Sequence, residues 1–155
     1  MLITVEGIDG AGKSTLVAGL ADALRAHGPV VLREPGGAAL SERLRALVKD
    51  PAMTVGARAE ALVYAAARAQ LVEEELRPLL EAGRLVLLDR FVDSSLAYQG
   101  AGRGLGVAAV RQLNAFATGG LAAAEPGRWI VIDASLPRER VLAEALAQLA
   151  PSLGP

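Results

Sequence analysis

No cysteine occurs among the 155 residues of this chain. That absence excludes disulfide frameworks and thiolate chemistry, disfavours zinc, and fits a reducing cytoplasm. Lysine is nearly as scarce, with Lys13 and Lys49 the only two among 16 basic residues. Charge of either sign is not in excess. A formal net charge of -1 gives no global field to hold a nucleic acid, so none is expected as a partner. An anionic ligand would have to be gripped locally, and the planar arginine fork suits phosphate, although genome composition explains the arginine bias equally well. Long hydrophobic runs are missing too. The apolar opening Met1 to Val5 stops at Glu6 and has no basic flank, so no signal peptide is expected. No run approaches the ~20 residues of a membrane span, and no membrane partner is expected. There is no internal repeat and no low-complexity linker. The length predicts one domain over 1–155, with a core supported by 52% hydrophobic residues.

What is present alternates between strand and helix patterns. Leu2 to Val5 is a short apolar run ending in a glycine-rich turn, followed by Leu16, Leu20, Ala23 and Leu24 at helical spacing. Pro29 to Leu32 reads as a second strand, closed by Arg33-Glu34-Pro35-Gly36-Gly37. Ala39 to Val48 reads as a helix. Ala57 to Glu81 is a longer one in which Pro78 should kink the chain or begin a new turn. Leu85 to Leu88 has the continuous apolar character of a strand buried on both faces of a parallel sheet. Val107 to Ala117 is predicted helical, Trp129 to Ile132 a fourth strand, and Pro137 to Leu149 a closing helix with proline near its first turn. The pattern predicts an α/β fold of three layers around a parallel sheet with right-handed crossovers.

Gly7-Ile8-Asp9-Gly10-Ala11-Gly12-Lys13-Ser14 matches the phosphate-binding loop at every fixed position, between a strand and a helix. Glycines allow the backbone to wrap so that amide hydrogens face phosphate oxygens, and the helix that follows adds its positive end. Lys13 can then reach the outer phosphates of a nucleoside triphosphate such as ATP, and the Ser14 hydroxyl can help hold magnesium. Thr15 continues the loop into the helix. Asp89 ends the buried run at the same sheet edge, where a carboxylate can hold the metal directly or through water. Beside it, Arg90 can divide labour by taking a phosphate.

Five blocks carry a family resemblance: Glu6 to Thr15, Arg33 to Gly37, Ala65 to Gln70, Asp89-Arg90-Phe91, and Ser94 to Gly100. From Met1 to about Gly120 the chain resembles bacterial thymidylate kinases. The resemblance implies a P-loop NTPase fold of the nucleoside monophosphate kinase type, ATP with magnesium as the donor, dTMP as the acceptor, and a homodimer. It implies that Arg90 holds the monophosphate, with Arg33 and Glu34 in the same pocket. Tyr64 takes the place of the aromatic residue that stacks on thymine, and Arg68 that of the arginine on a base oxygen. Ser95 and Gln99 would flank the base, Tyr98 would crowd a 2'-hydroxyl, and Asp9 would meet the acceptor's 3'-hydroxyl or the metal. On pattern alone, Tyr64 is an ordinary core position in an apolar helical stripe and Arg68 a solvated helix residue. A small-molecule kinase of another specificity, an ATP-dependent switch protein and an inactive nucleotide-binding form are the competing readings.

The resemblance has departures. Ala38 and Ala67 stand where the family pattern has threonine and aspartate, and an acid before Arg68 could have oriented it. After Gly120 the family's next strand and its arginine-bearing lid have no counterpart, while Gly10 marks the loop type whose arginine comes from such a lid. The run Ala123 to Leu149 is similar to the family's final strand and helix, so a segment is expected to be missing near 120–124. In the other reading, Trp129 to Asp133 is the next strand and the chain stops before the lid.

Overall fold

Three four-residue runs rich in branched apolar side chains pair because none can bury both faces alone. In the computed structural model, which describes residues 1–121 and 129–153, they are β1 (Leu2–Val5), β2 (Val30–Arg33) and β3 (Val86–Asp89). β3 lies between the other two, parallel to both, with Leu87 opposite Ile3 on one side and Val31 on the other. Val86, Leu87 and Leu88 are fully buried, as the unbroken apolar run requires of a central parallel strand. Parallel pairing forces each connection to cross the sheet, and helices supply the crossings.

The helices are α1 (Lys13–Ala23), α2 (Ala39–Val48), α3 (Ala57–Leu71), α4 (Arg77–Glu81), the single turn α5 (Val92–Ser95), α6 (Val107–Thr118) and α7 (Arg138–Leu153). Alternate β-strand side chains feed two cores, one on each face. Val5 and Leu87 pack with Val17 and Leu20 of α1 and Leu149 of α7. Val86 and Leu88 pack on the other face with Leu71, Val72, Leu76 and Phe91. The result is the expected three-layer arrangement.

Strand and helix positions from the sequence agree to within a residue or two for β1, β2, β3, α2 and α6. The long helix predicted over Ala57 to Glu81 is continuous but widened. Val72–Leu76 is π-helical, and α4 begins just before Pro78, so the proline sits in a first turn where its missing amide is least needed. α7 extends to Leu153, past Pro151, because Leu146, Leu149 and Leu153 keep one apolar stripe on the core. The predicted fourth strand is not formed. Trp129 to Ile132 has no ladder partner among the described residues, and Ile130 and Ile132 are instead held by side-chain packing against the α1–α7 core. The junction expected near 120–124 falls mainly within 122–128, outside the described residues, as does Glu125 to Arg128. Among the described residues no helix is long and apolar enough to cross a membrane.

Because Leu87 is fully buried at the centre of the sheet, Leu87→Ala should lower the free energy of unfolding by about 2–5 kcal/mol, read from urea denaturation followed by circular dichroism.

Candidate active site

The carboxyl ends of β1 and β3 lie side by side, so the loops that follow them share one edge of the sheet. From β1 the chain enters the glycine-rich loop and then α1. Gly12 caps that helix with φ 81, and a Cβ there would meet nothing within 4 Å, so the left-handed backbone and not crowding calls for glycine. Lys13 is buried, its Nζ donating to the Ile8 carbonyl at 2.7 Å and lying 4.0 Å from the Asp9 carboxylate. Ile8, Gly10 and Asp9 are exposed at the rim. The Ser14 hydroxyl donates to Asp89 Oδ2 at 2.7 Å across from β3. A hydroxyl and a carboxylate at that separation are hard oxygen donors suited to magnesium, which keeps most of its waters and phosphate ligands. Among the described residues no cluster of three or more His, Cys, Asp or Glu could replace them.

Arg90 follows β3 with φ 71, a left-handed backbone rare outside glycine and a mark of functional strain. Its amide donates to the Val5 carbonyl at 3.0 Å. From there Nη1 reaches the Gly7 carbonyl at 3.0 Å and Ser94 Oγ at 2.9 Å, while Nη2 pairs with Asp9 at 2.5 Å. The guanidinium also stands 5.4 Å from the Tyr98 ring centre. Burial opposes its charge, but Tyr98 and Asp9 more than compensate and hold it protonated. Tyr64 is half-buried within electrostatic reach of Arg90 and Asp9, and burial lifts its hydroxyl above the ordinary range.

Behind Arg90 stands Glu6, which sequence reading passed over as the end of the apolar run. Its carboxylate accepts from the Phe91 amide and from the Ser94 hydroxyl, both at 2.6 Å. Ser94 in turn accepts from Arg90, so Glu6 sets the arginine's position at one remove. Burial raises the Glu6 carboxyl above the usual range against both bonds. A strand-ending carboxylate directly before a phosphate loop was the available signal.

Arg68 belongs to a second cluster. It is 3% exposed, contrary to the solvated position that helix pattern suggests. Nε donates to Glu34 at 2.7 Å, Nη1 to Ser95 at 3.1 Å and to Asn114, and Nη2 to the Phe91 carbonyl at 3.1 Å with Glu34 2.7 Å away. A contact with a base oxygen therefore requires one of these bonds to be given up. Ser41 shows the same inward turn, donating to the Ala67 carbonyl at 2.7 Å where an aspartate was expected beside Arg68. Asn114 looked like one polar position of a helix; nothing in its local sequence distinguishes it. Glu34 Oε1 is the one buried side-chain oxygen or nitrogen without a partner among the described residues. Burial pushes the Glu34 carboxyl up to about 7, with Arg68 working the other way.

The remaining predicted residues lie around these two clusters. Gln99, in the π-helical turn Leu96–Gly102, donates to Glu60 Oε1 at 2.9 Å. Burial works against the Glu60 charge, but Arg103 and Gln99 bring its carboxyl below the usual range. Arg33 is exposed and forks onto Glu42 at 3.0 and 3.2 Å, turned away from Glu34 in alternate strand fashion. Glu42 also accepts from the Gly37 amide at 3.0 Å and, held by that amide and by Arg33, stays below the usual carboxylate range. Gly37 itself has φ 88, a backbone that side-chain-bearing residues rarely adopt, and a Cβ there would lie 2.6 Å from Leu71 Cδ1, so a substitution would be strained and would displace Leu71.

A strand–phosphate loop–helix unit, a serine–aspartate pair at the switch of the sheet, and an arginine facing it from β3 define a P-loop α/β fold of the nucleoside monophosphate kinase type. Residues 5–121 match the family model of thymidylate kinase. The chain belongs to the thymidylate kinase family. Over 135 residues it is 53% identical to the thymidylate kinase of Deinococcus radiodurans, covering 86% of this chain and 64% of that protein. With the thymidylate kinase of Desulfovibrio desulfuricans it shares 54% over 136 residues, covering 86% and 61%. The chain thus spans just under two thirds of the length of these curated relatives. The crystal structure of thymidylate kinase from Ehrlichia chaffeensis superposes with a TM-score of 0.74 at 32% identity, over 97% of this chain and 87% of that one.

Two outcomes test this geometry. Glu6→Gln keeps the shape but replaces one acceptor oxygen by a donor, so the Ser94 bond must reverse while Oε1 keeps the Phe91 amide, and with the loss of the charge-assisted bonds the fold should be destabilised by about 1–3 kcal/mol in urea denaturation. Glu34 binds its proton more tightly in the folded protein, near pH 7, than in the unfolded chain, near 4.5. Its contribution to stability is therefore full below 4.5 and declines as pH rises to about 7. Urea midpoints measured from pH 4.5 to 8 should fall across that window, and Glu34→Gln should flatten the fall.

Proposed function

We propose that this chain carries the donor and acceptor sites for transfer of the γ-phosphoryl group of ATP to dTMP, giving ADP and dTDP. The observation that carries the reading is the meeting of Lys13 and the Ser14–Asp89 pair with Arg90 and Tyr98 at one sheet edge. Gly7 to Thr15 would cradle the donor phosphates through backbone amides, with Lys13 exchanging the Ile8 carbonyl for a phosphate oxygen. Ser14 and Asp89 would hold magnesium, which when bound neutralises charge on the phosphate oxygens. Arg90, held by Gly7, Ser94 and Asp9, would take the acceptor's phosphate in exchange for Asp9. No strong general base is needed, because the acceptor phosphate is already ionised near neutral pH.

Asp9 is the exposed partner that an incoming phosphate would displace from Arg90, freeing its carboxylate for the 3'-hydroxyl or the metal. Tyr64 would stack on the base and Tyr98 would crowd the sugar. Arg33, Glu34, Arg68, Ser95 and Gln99 would complete the acceptor pocket, with Arg68 exchanging one protein acceptor for the base and Glu34 Oε1 open to a donor. The whole range 1–155 forms one domain in this reading, in a cytoplasmic homodimer. The exposed Leu62 of α3 and Phe116 of α6 offer apolar surface for the dimer.

A coupled assay of ADP release with dTMP, dUMP, CMP and AMP tests the assignment. The expected result is turnover with dTMP above the other acceptors, and a loss of about 10²-fold or more in kcat for Lys13→Ala. ATP binding without transfer to dTMP would overturn it in favour of a nucleotide-binding form. Preference for another acceptor would overturn the specificity alone.

A further inference from the structure

Glu60, Tyr64 and Arg68 stand four residues apart on α3 and so share one face of it. The chain from Ser95 to Arg103 passes that face in the opposite sense. Arg68 bonds Ser95 at one end, and Glu60 bonds Gln99 and Arg103 at the other. Gln99 is buried, and the backbone that carries it is seated closely on the start of α6. The amides of Leu105 and Gly106 donate to the carbonyls of Gln99 and Gly100 at 3.3 and 2.9 Å, and a Cβ at Gly100 would lie 3.1 Å from Val107 Cα. With the backbone held in this way, the freedom left to Gln99 is the turn of its side-chain amide.

Glu60 sets that turn. Its Oε1 accepts from Gln99 Nε2 at 2.9 Å and from Arg103 Nε at 3.3 Å, while Oε2 accepts from Arg103 Nη2 at 2.5 Å. Burial opposes the Glu60 charge, but Arg103 and Gln99 outweigh it and keep the carboxylate ionised. An ionised carboxylate accepts and cannot donate, so the Gln99 amide must turn its NH2 toward Glu60 and its carbonyl oxygen away. Among the described residues no hydrogen bond ends on that oxygen, and the one sealed, unpartnered side-chain atom is Glu34 Oε1, so Gln99 Oε1 is open to solvent. We propose that Glu60, clamped by Arg103, is a positioning residue that makes Gln99 an acceptor toward the base. The pocket then selects a pyrimidine whose ring nitrogen carries hydrogen, as in thymine, against one whose ring nitrogen is bare, as in cytosine. This rests on the reading that dTMP occupies the site that Gln99 flanks. Facing a bare ring nitrogen, the Gln99 oxygen would set lone pair against lone pair and leave both without a partner.

The test titrates dTMP and dCMP into the full chain by calorimetry and reads the ratio of the dCMP dissociation constant to that of dTMP. Glu60→Gln is isosteric at a half-buried position and can both donate and accept, so it releases the Gln99 amide to turn. The expected result is a ratio about tenfold lower, through weaker dTMP and tighter dCMP together. Gln99→Met removes the amide at similar length and should lower the ratio by weakening dTMP. Adding Glu60→Gln to Gln99→Met should then leave the ratio where Gln99→Met put it, because Glu60 acts only through Gln99. A purely structural role would instead weaken both ligands in step. A ratio unmoved by Glu60→Gln, or one that falls further in the double variant, overturns the proposal. Absence of dTMP binding by the unsubstituted chain overturns the acceptor reading and this inference with it, whereas dTMP binding with an unmoved ratio overturns this inference alone.

Discussion

One buried guanidinium ties together the elements around the candidate site. Arg68 rises from α3 and is bonded to Glu34 after β2, to the Phe91 carbonyl after β3, to Ser95 in α5 and to Asn114 in α6. A buried ion pair is weak evidence of net stability, because both charges lose water when they are enclosed. Its value here is geometric. Four segments distant in sequence, α3, the end of β2, the Phe91–Ser95 turn and α6, are held at fixed separations by one planar group whose donors are rigidly arranged. Removing one partner would strand a charge in the interior, so the cluster is an all-or-none feature of the fold.

The second consequence of this cluster runs through Phe91. The same residue offers its carbonyl to Arg68, its ring to the face of that guanidinium at 5.6 Å, and its amide to Glu6. Glu6 fixes Ser94, and Ser94 fixes Arg90. The strained backbone of Arg90 is thus held from both sides, which is how a left-handed arginine persists at all. Rigidity at the site comes from side-chain bonds between short elements, since α5 is one turn and β3 only four residues.

The sequence made the proposed donor side legible because its requirements are local. Gly7, Gly12, Lys13 and Ser14 must stand at a fixed short spacing to wrap a phosphate, so the spacing alone locates them. Asp89 and Arg90 were legible because an apolar run announces where a central strand ends. The proposed acceptor side depends on contacts across the fold. Glu42, Glu60 and Asn114 carry no periodic or motif signal, Glu6 carries only its place before the phosphate loop, and Arg68 reads as exposed until α6 and the Phe91 turn are packed around it. Trp129 to Ile132 failed as a strand for a related reason. Branched apolar residues favour strand only when a neighbouring ladder exists, and in its absence the same side chains settle as packing against α7.

Arg90 has one further consequence. Its Nη1 holds the carbonyl of Gly7, the first residue of the phosphate loop, while its other contacts face the proposed acceptor side. A ligand that draws this guanidinium toward itself must alter the bond to the loop, and a ligand that reshapes the loop must alter the guanidinium. If the two proposed sites bind as assigned, occupancy of either would be coupled to the other through this shared hydrogen bond, and thermodynamic linkage would make that influence equal in both directions.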